Sequence, residues 1–201
     1  MPTGSVTDIE GNVYPTIKIG QQEWMVENLK TTTYNDGTSI PNVTDKSAWA
    51  SLSSAAYSWV DNDVASKDVY GALYNWHAVG TNMLCPAGWS IPSSDNWGPL
   101  VNTEGGKAVA GGRMKEVGTT LWQAPNAGAT NASGFSARPA GDRELDGSFV
   151  YKGQNAFWWC SDEKVLSLPA EAGFWQVSSA NASSVGGQSQ LPTGFSVRCL
   201  R

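Results

Sequence analysis

The chain has 201 residues, only 15% of them charged, with 22 Gly, 10 Trp and a net charge of −5. A chain of this length buries roughly 70% of its unfolded surface in one core, and abundant glycine and large rings at low charge exclude a helical bundle in favour of a loop-rich fold. No basic cluster is present to gather the cations that a phosphate backbone requires, which excludes nucleic acid as a partner.

Residues 1–5 have neither the basic nor the apolar region of a signal peptide, and residues 1–7 are expected to be disordered. No apolar run approaches the ~20 residues that span a bilayer, so no transmembrane segment is expected. Residues 13–29 read as a hairpin: Val13, Ile17 and Ile19 lead into a turn at Gly20-Gln21-Gln22, and Trp24, Met25 and Val26 return from it. Pro15 lacks a ladder donor, which places that strand at a sheet edge or starts it after the proline.

Asp45 predicts a cap for a helix over 46–56, with Trp49, Leu52 and Tyr57 at near-helical spacing. A second helix is expected from Ser93 or Ser94, burying Trp97, Leu100 and Val101, with Pro99 limiting its regularity and Gly105-Gly106 ending it. From 111 onward Gly, Ala, Ser and Asn dominate, with turns at Pro125-Asn126, Asn131-Ala132 and Asp146-Gly147. Short strands fit 148–151, 156–161 and 174–178. Neither an internal repeat nor a linker divides the chain, so residues 1–201 form one domain. Trp24, Trp76, Trp89, Trp97 and Trp159 lie on apolar stripes or inside the blocks that carry the resemblance described below, and are read as core.

Motifs for chemistry are few. His77 is the only histidine, so neither a histidine metal cluster nor a His-pair acid/base device can be assembled; it reads as a packed imidazole. No Gly-x-Ser-x-Gly elbow occurs. Asp61-Asn62-Asp63 with Asp68 departs from a calcium loop at Ser66 and Ala72, where that loop needs Gly and Glu, and reads as a solvated turn. Asp142, Glu144 and Asp146 offer at most an incidental ion site. The acceptor-like triplets at Asn42, Asn131 and Asn181 read as turns. No catalytic residue, resident metal or cofactor is therefore named.

The segment 165–197 is different in kind. Glu171 is its only charge across 33 residues, and small polar residues surround Leu166, Leu168, Phe174, Trp175 and Leu191. Adaptable polar residues around rigid rings are the composition of binding loops. Strand alternation puts Phe174, Gln176 and Ser178 on one face and Trp175 and Val177 on the other. With few polar partners in sight for its indole N–H, Trp175 is placed as a partly exposed anchor, ringed by Asp162, Lys164, Gln176, Ser178, Asn181, Gln188 and Gln190. That set defines a candidate ligand-binding face over about 161–193.

Five blocks carry a family resemblance in order along the chain: Trp24-Met25-Val26-Glu27-Asn28-Leu29, Tyr70-Gly71-Ala72-Leu73-Tyr74-Asn75-Trp76, Leu84–Pro92, Gly134–Gly141 and Gly194–Arg201. Together they resemble the Fibrobacter succinogenes major paralogous domain. The resemblance implies an α+β, C-type-lectin-like fold with two helices, a small twisted antiparallel sheet and paired termini, the amino-terminal strand lying against Phe195–Leu200. It also implies a disulfide between Cys85 and Cys199, the alternative being two buried free thiols. A loop of about 113 residues closed in this way is worth roughly 4–5 kcal/mol. Cys160 is left unpaired.

Functionally the resemblance implies a non-enzymatic binding or display protein with a protein or carbohydrate ligand; it favours the cell surface or the outside of the cell, a cytoplasmic or virion location being the alternatives. Calcium-dependent sugar binding is disfavoured, since neither Glu-Pro-Asn, Gln-Pro-Asp nor Trp-Asn-Asp occurs. The layout is also similar to the variable proteins of diversity-generating retroelements, whose diversified segment precedes the carboxy-terminal strand. Composition is silent on that point, because residue types inaccessible to such mutation are as common in 165–193 as elsewhere. A cell-surface adhesive or structural module is the alternative. An enzyme similar to the formylglycine-generating group ranks third, since Cys160 stands in no matching motif. Fold analogy alone decides among none of these, and no oligomeric state is assigned.

Overall fold

A computed structural model of the chain describes residues 2–164 and 169–201, for Glu163 and Lys164 the backbone only. The first three strands, β1 (Gly4–Thr7), β2 (Val13–Ile19) and β3 (Gln22–Met25), make an antiparallel sheet in that order. The expected hairpin is β2–β3. Residues 4–7 are not disordered as expected but pair with β2 from Gly4↔Thr16 to Thr7↔Val13. Alternate backbone groups of β2 face this side and would otherwise be unpaired.

Pro15 consequently sits inside a central strand, against the expectation of an edge. Its carbonyl accepts from the Val26 N–H at 2.8 Å, one residue beyond the end of β3. The missing donor therefore falls where the pairing with β3 stops, and little is lost.

The termini are closed on each other. Glu23 and Arg201 exchange backbone hydrogen bonds of 2.8 and 2.9 Å, and the N–H groups of Met25 and Leu29 donate to the carbonyls of Cys199 and Val197. The Cys85–Cys199 disulfide is formed, with Cα atoms 5.9 Å apart. Ser90 and Leu200 exchange a further pair of backbone bonds beside it.

The two expected helices are α1 (Lys46–Ala50), capped by the Asp45 side chain, and α4 (Ser94–Thr103), where Ser93 and Asn96 cap each other's backbone N–H. α1 stops well short of 56 because Trp49 is its only buried residue, leaving no apolar stripe to extend it. Three further short helices were not foreseen: α2 (Lys67–Tyr70), α3 (Trp76–Val79) and α5 (Ala110–Met114).

A five-stranded sheet runs in the order β4-β5-β11-β6-β7, from β4 (Tyr57–Trp59), β5 (Ala72–Asn75), β6 (Asp142–Arg143), β7 (Phe149–Val150) and β11 (Gly194–Phe195). The third sheet, β10-β9-β8, comprises β8 (Asn155–Lys164), β9 (Glu171–Ser178) and β10 (Ser184–Gln190). All pairings between these strands are antiparallel. The molecule is thus mixed α and β, mostly antiparallel sheet with a few short helices.

β8 and β9 are covered on both faces. Phe157, Trp159 and Phe174 pack on Phe195, with centroids 4.5–5.1 Å from it. On the opposite face Trp158, Cys160, Trp175 and Val177 join Trp24, Trp97 and Phe135. Trp24, Trp76, Trp97 and Trp159 are buried as expected, while Trp89 is half-buried. Among the described residues no helix is long and apolar enough to cross a membrane.

Candidate binding site

The face expected over 161–193 is built on the β9–β10 hairpin, which the sequence pattern showed only in part. β10 reads Ser-Val-Gly-Gly-Gln-Ser-Gln and has no apolar alternation to mark a strand. Its glycines explain how it forms. A Cβ at Gly186 would lie 2.8 Å from the Trp175 ring, and one at Gly187 would lie 2.6 Å from the Phe174 ring. The absence of side chains lets the edge strand lie directly beside two aromatic rings on β9.

The alternation of β9 holds: Phe174, Gln176 and Ser178 are half-buried, while Trp175 and Val177 point into the core. The assignment of Trp175 as an exposed anchor is therefore corrected. The residue is 7% exposed, and its ring stacks on Trp97 at 5.8 Å with an interplanar angle of 3°. Its indole N–H donates to the Ser184 hydroxyl. That partner belongs to β10, a strand that the sequence pattern conceals.

The remaining members of the expected set do not stay together. Gln176, Ser178 and Asn181 come together with Asn155, Val177, Ser183 and Val185 around a groove of about 230 Å³. Gln188 lines a second hollow of about 360 Å³ farther along the hairpin, with Ser94, Phe174, Trp175 and the two glycines. Asp162 is exposed and accepts from the Ser94 N–H at the start of α4, so it braces that helix rather than the groove. Gln190 is half-buried at the end of β10, with its carbonyl accepting from Thr193 at 3.1 Å. The side chain of Lys164 lies outside the described residues.

Asn155 and Ser183 were missed. Asn155 enters through strand register, opposite Ser178, and its side-chain amide donates to Gln176 Oε1 at 3.4 Å. Ser183 is turned by Asn181, whose Oδ1 accepts from both the Ser183 N–H and its hydroxyl. The groove is thereby lined by three carboxamides and two hydroxyls, without a charge.

The loop that forms its rim is tightly held from behind. Lys115, fully buried, donates from Nζ to the carbonyls of Ala127, Ser178 and Asn181 at 2.9, 2.7 and 2.8 Å. Burial lowers its pKa to about 8. The backbone adds Gly112 N–H to Ala182 carbonyl, Ala127 N–H to Ser179 carbonyl, and Ser184 N–H to Lys107 carbonyl, at 2.8–2.9 Å.

Groups considered for chemistry have other engagements. Asp61 pairs with Lys152 at 2.7 Å and Asp68 with Lys30 at 2.9 Å, while Asp63 caps the Ala65 N–H. Cys160 is free and buried, and burial pushes its thiol up to about 12, far from the thiolate that a nucleophile needs. His77 is half-buried in α3. A separate cleft of about 460 Å³ lies between Val69, Val117, Leu121 and Trp122, with Glu116 and Arg138 3.5 Å apart at its wall.

The arrangement is that of a three-sheet domain with closed termini and an uncharged groove on one hairpin. Residues 17–201 match the family described as the Fibrobacter succinogenes major domain, and the chain belongs to that family. No curated protein and no solved structure matches it.

Proposed function

We propose that this chain is a non-enzymatic ligand-binding or display protein of C-type-lectin-like fold, acting at a cell surface, whose binding groove is the one between Asn155, Gln176, Ser178, Asn181 and Ser183. The paired termini, the bridging disulfide and the small antiparallel sheets support that type of fold. The observation that carries the functional reading is the conjunction of an uncharged, amide-lined groove with a rim fixed by backbone hydrogen bonds. Pre-ordered polar groups bind with little further loss of entropy. A groove without charge suits a neutral polar ligand, either a polysaccharide or an uncharged stretch of polypeptide.

The test is capture on immobilised neutral and acidic oligosaccharides and on uncharged peptides, by wild type and by Gln176→Ala/Asn181→Ala. Retention of neutral ligands by wild type, lost in the double variant at an unchanged melting temperature, is expected. Capture that ignores the double substitution, or that favours acidic ligands, would overturn the assignment.

A further inference from the structure

We infer that Lys115 is the positioning residue of this groove: through the carbonyls of Ser178 and Asn181, tied to that of Ala127, it fixes the 178–184 loop in the shape that presents Ser178, Asn181 and Ser183. The inference rests on the groove reading above for its functional meaning, and on geometry alone for the restraint itself.

An ammonium has three donors and no acceptor. All three are used here, and each by a different place in the chain: Ala127, the end of β9 at Ser178, and the β9–β10 connection at Asn181, which are 12, 63 and 66 residues from Lys115. No carboxylate forms an ion pair with it among the described residues. Burying an ammonium without a counter-ion is expensive, and an apolar side chain would fill the same space more cheaply. What only a cation with several donors supplies is a common anchor for three carbonyls from separate parts of the chain.

The wall from which Lys115 projects is shaped for the same loop. Lys115 directly follows α5, where Gly111 and Gly112 let neighbouring backbone approach: a Cβ on Gly111 would lie 2.0 Å from the Ser183 carbonyl oxygen, and one on Gly112 would lie 3.2 Å from the Ala182 Cβ and 2.3 Å from the oxygen of Gly128, just after the Ala127 that Lys115 also holds. The restraints from this wall reach backbone atoms of the loop. The side chains of Ser178, Asn181 and Ser183 are left to line the groove.

Amide hydrogen exchange, read by mass spectrometry on the whole chain without ligand, tests this. In Lys115→Met, which keeps the stem and loses the donors, peptides over 178–184 are expected to exchange about tenfold faster or more, with β2 and β8 unchanged. In Lys115→Ala, n-butylammonium is expected to restore protection, and tetramethylammonium, which has no N–H, is not. If Lys115→Met does not fold, the butylammonium comparison on Lys115→Ala or Lys115→Gln decides. Unchanged loop exchange, uniformly faster exchange, or equal rescue by both cations would overturn the role. Ligand capture is read separately. Loss of loop protection in a protein that captures nothing leaves this inference standing and removes the binding reading.

Discussion

Arg198 and Asn28 meet in the core although 170 residues separate them. The guanidinium donates from Nε and NH2 to the Asn28 Oδ1 at 3.2 and 2.7 Å, and the Trp158 indole donates to the same oxygen at 2.9 Å. The Asn28 amide in turn donates to the Tyr70 carbonyl and the Ser196 hydroxyl. Arg198 lies 4.1 Å from the Phe135 ring centroid and donates to the Phe135 carbonyl. One carboxamide thus joins the amino-terminal, middle and carboxy-terminal segments of the fold.

Asn28→Ala leaves that guanidinium buried with unsatisfied donors. Leaving the donors of a buried charged group unsatisfied is expected to cost about 3 kcal/mol or more. Urea unfolding monitored by tryptophan fluorescence should show the fall in midpoint, and a loss below about 1 kcal/mol would mean that water replaces the amide.

Reduction should weaken the molecule by a comparable amount. The Cys85–Cys199 bridge closes most of the chain on itself, and the loop-closure entropy removed from the unfolded state is worth about 4–5 kcal/mol. Cys85→Ser/Cys199→Ser should reproduce the effect of reductant in denaturant titrations. Cys160, being buried, should alkylate only on unfolding.

Asp142 predicts a pH dependence. Burial, with Glu144 nearby, pushes its carboxyl up to about 7, and its Oδ1 has no hydrogen-bond partner among the described residues. In the unfolded chain the group titrates near 4. Between those values the folded state holds more protons than the unfolded one, so stability falls as pH rises from about 4 to 7. Glu23, held low chiefly by the Thr16 hydroxyl, acts below that window. Asp142→Asn should flatten the fall and be more stable at pH 8 by about 2–4 kcal/mol, as measured by urea unfolding at pH 5 and 8.

Trp175→Ala separates core from surface on one strand. The ring is buried on Trp97, so its loss should cost about 3–5 kcal/mol. Gln176→Ala, on the opposite face, should stay within about 0.5 kcal/mol of wild type. A melting temperature indifferent to Trp175→Ala would contradict the packing.

These contrasts show where the sequence was legible. The paired ends and the disulfide followed from the family resemblance that ordered blocks such as Trp24–Leu29 and Gly194–Arg201 carry, and the face alternation of β9 followed from period two. β1 was hidden because Gly4-Ser5 is polar, and β10 because Gly186 and Gly187 remove the side chains that would show a pattern. Gln176, Ser178 and Asn181 were found from composition. Asn155 depended on cross-strand register, and Lys115 is indistinguishable in sequence from any surface lysine. Trp175 was misplaced for a related reason: its hydrogen-bond partner, Ser184, stands on the strand that could not be read.

The central claim concerns where a ligand sits, and amide and side-chain NMR shifts of the wild-type chain, titrated with a neutral ligand that it captures, test it most directly. The account predicts saturable shifts concentrated at Asn155, Gln176, Ser178, Asn181 and Ser183. Shifts centred instead on Glu116, Leu121 and Arg138, in the separate cleft, would contradict it.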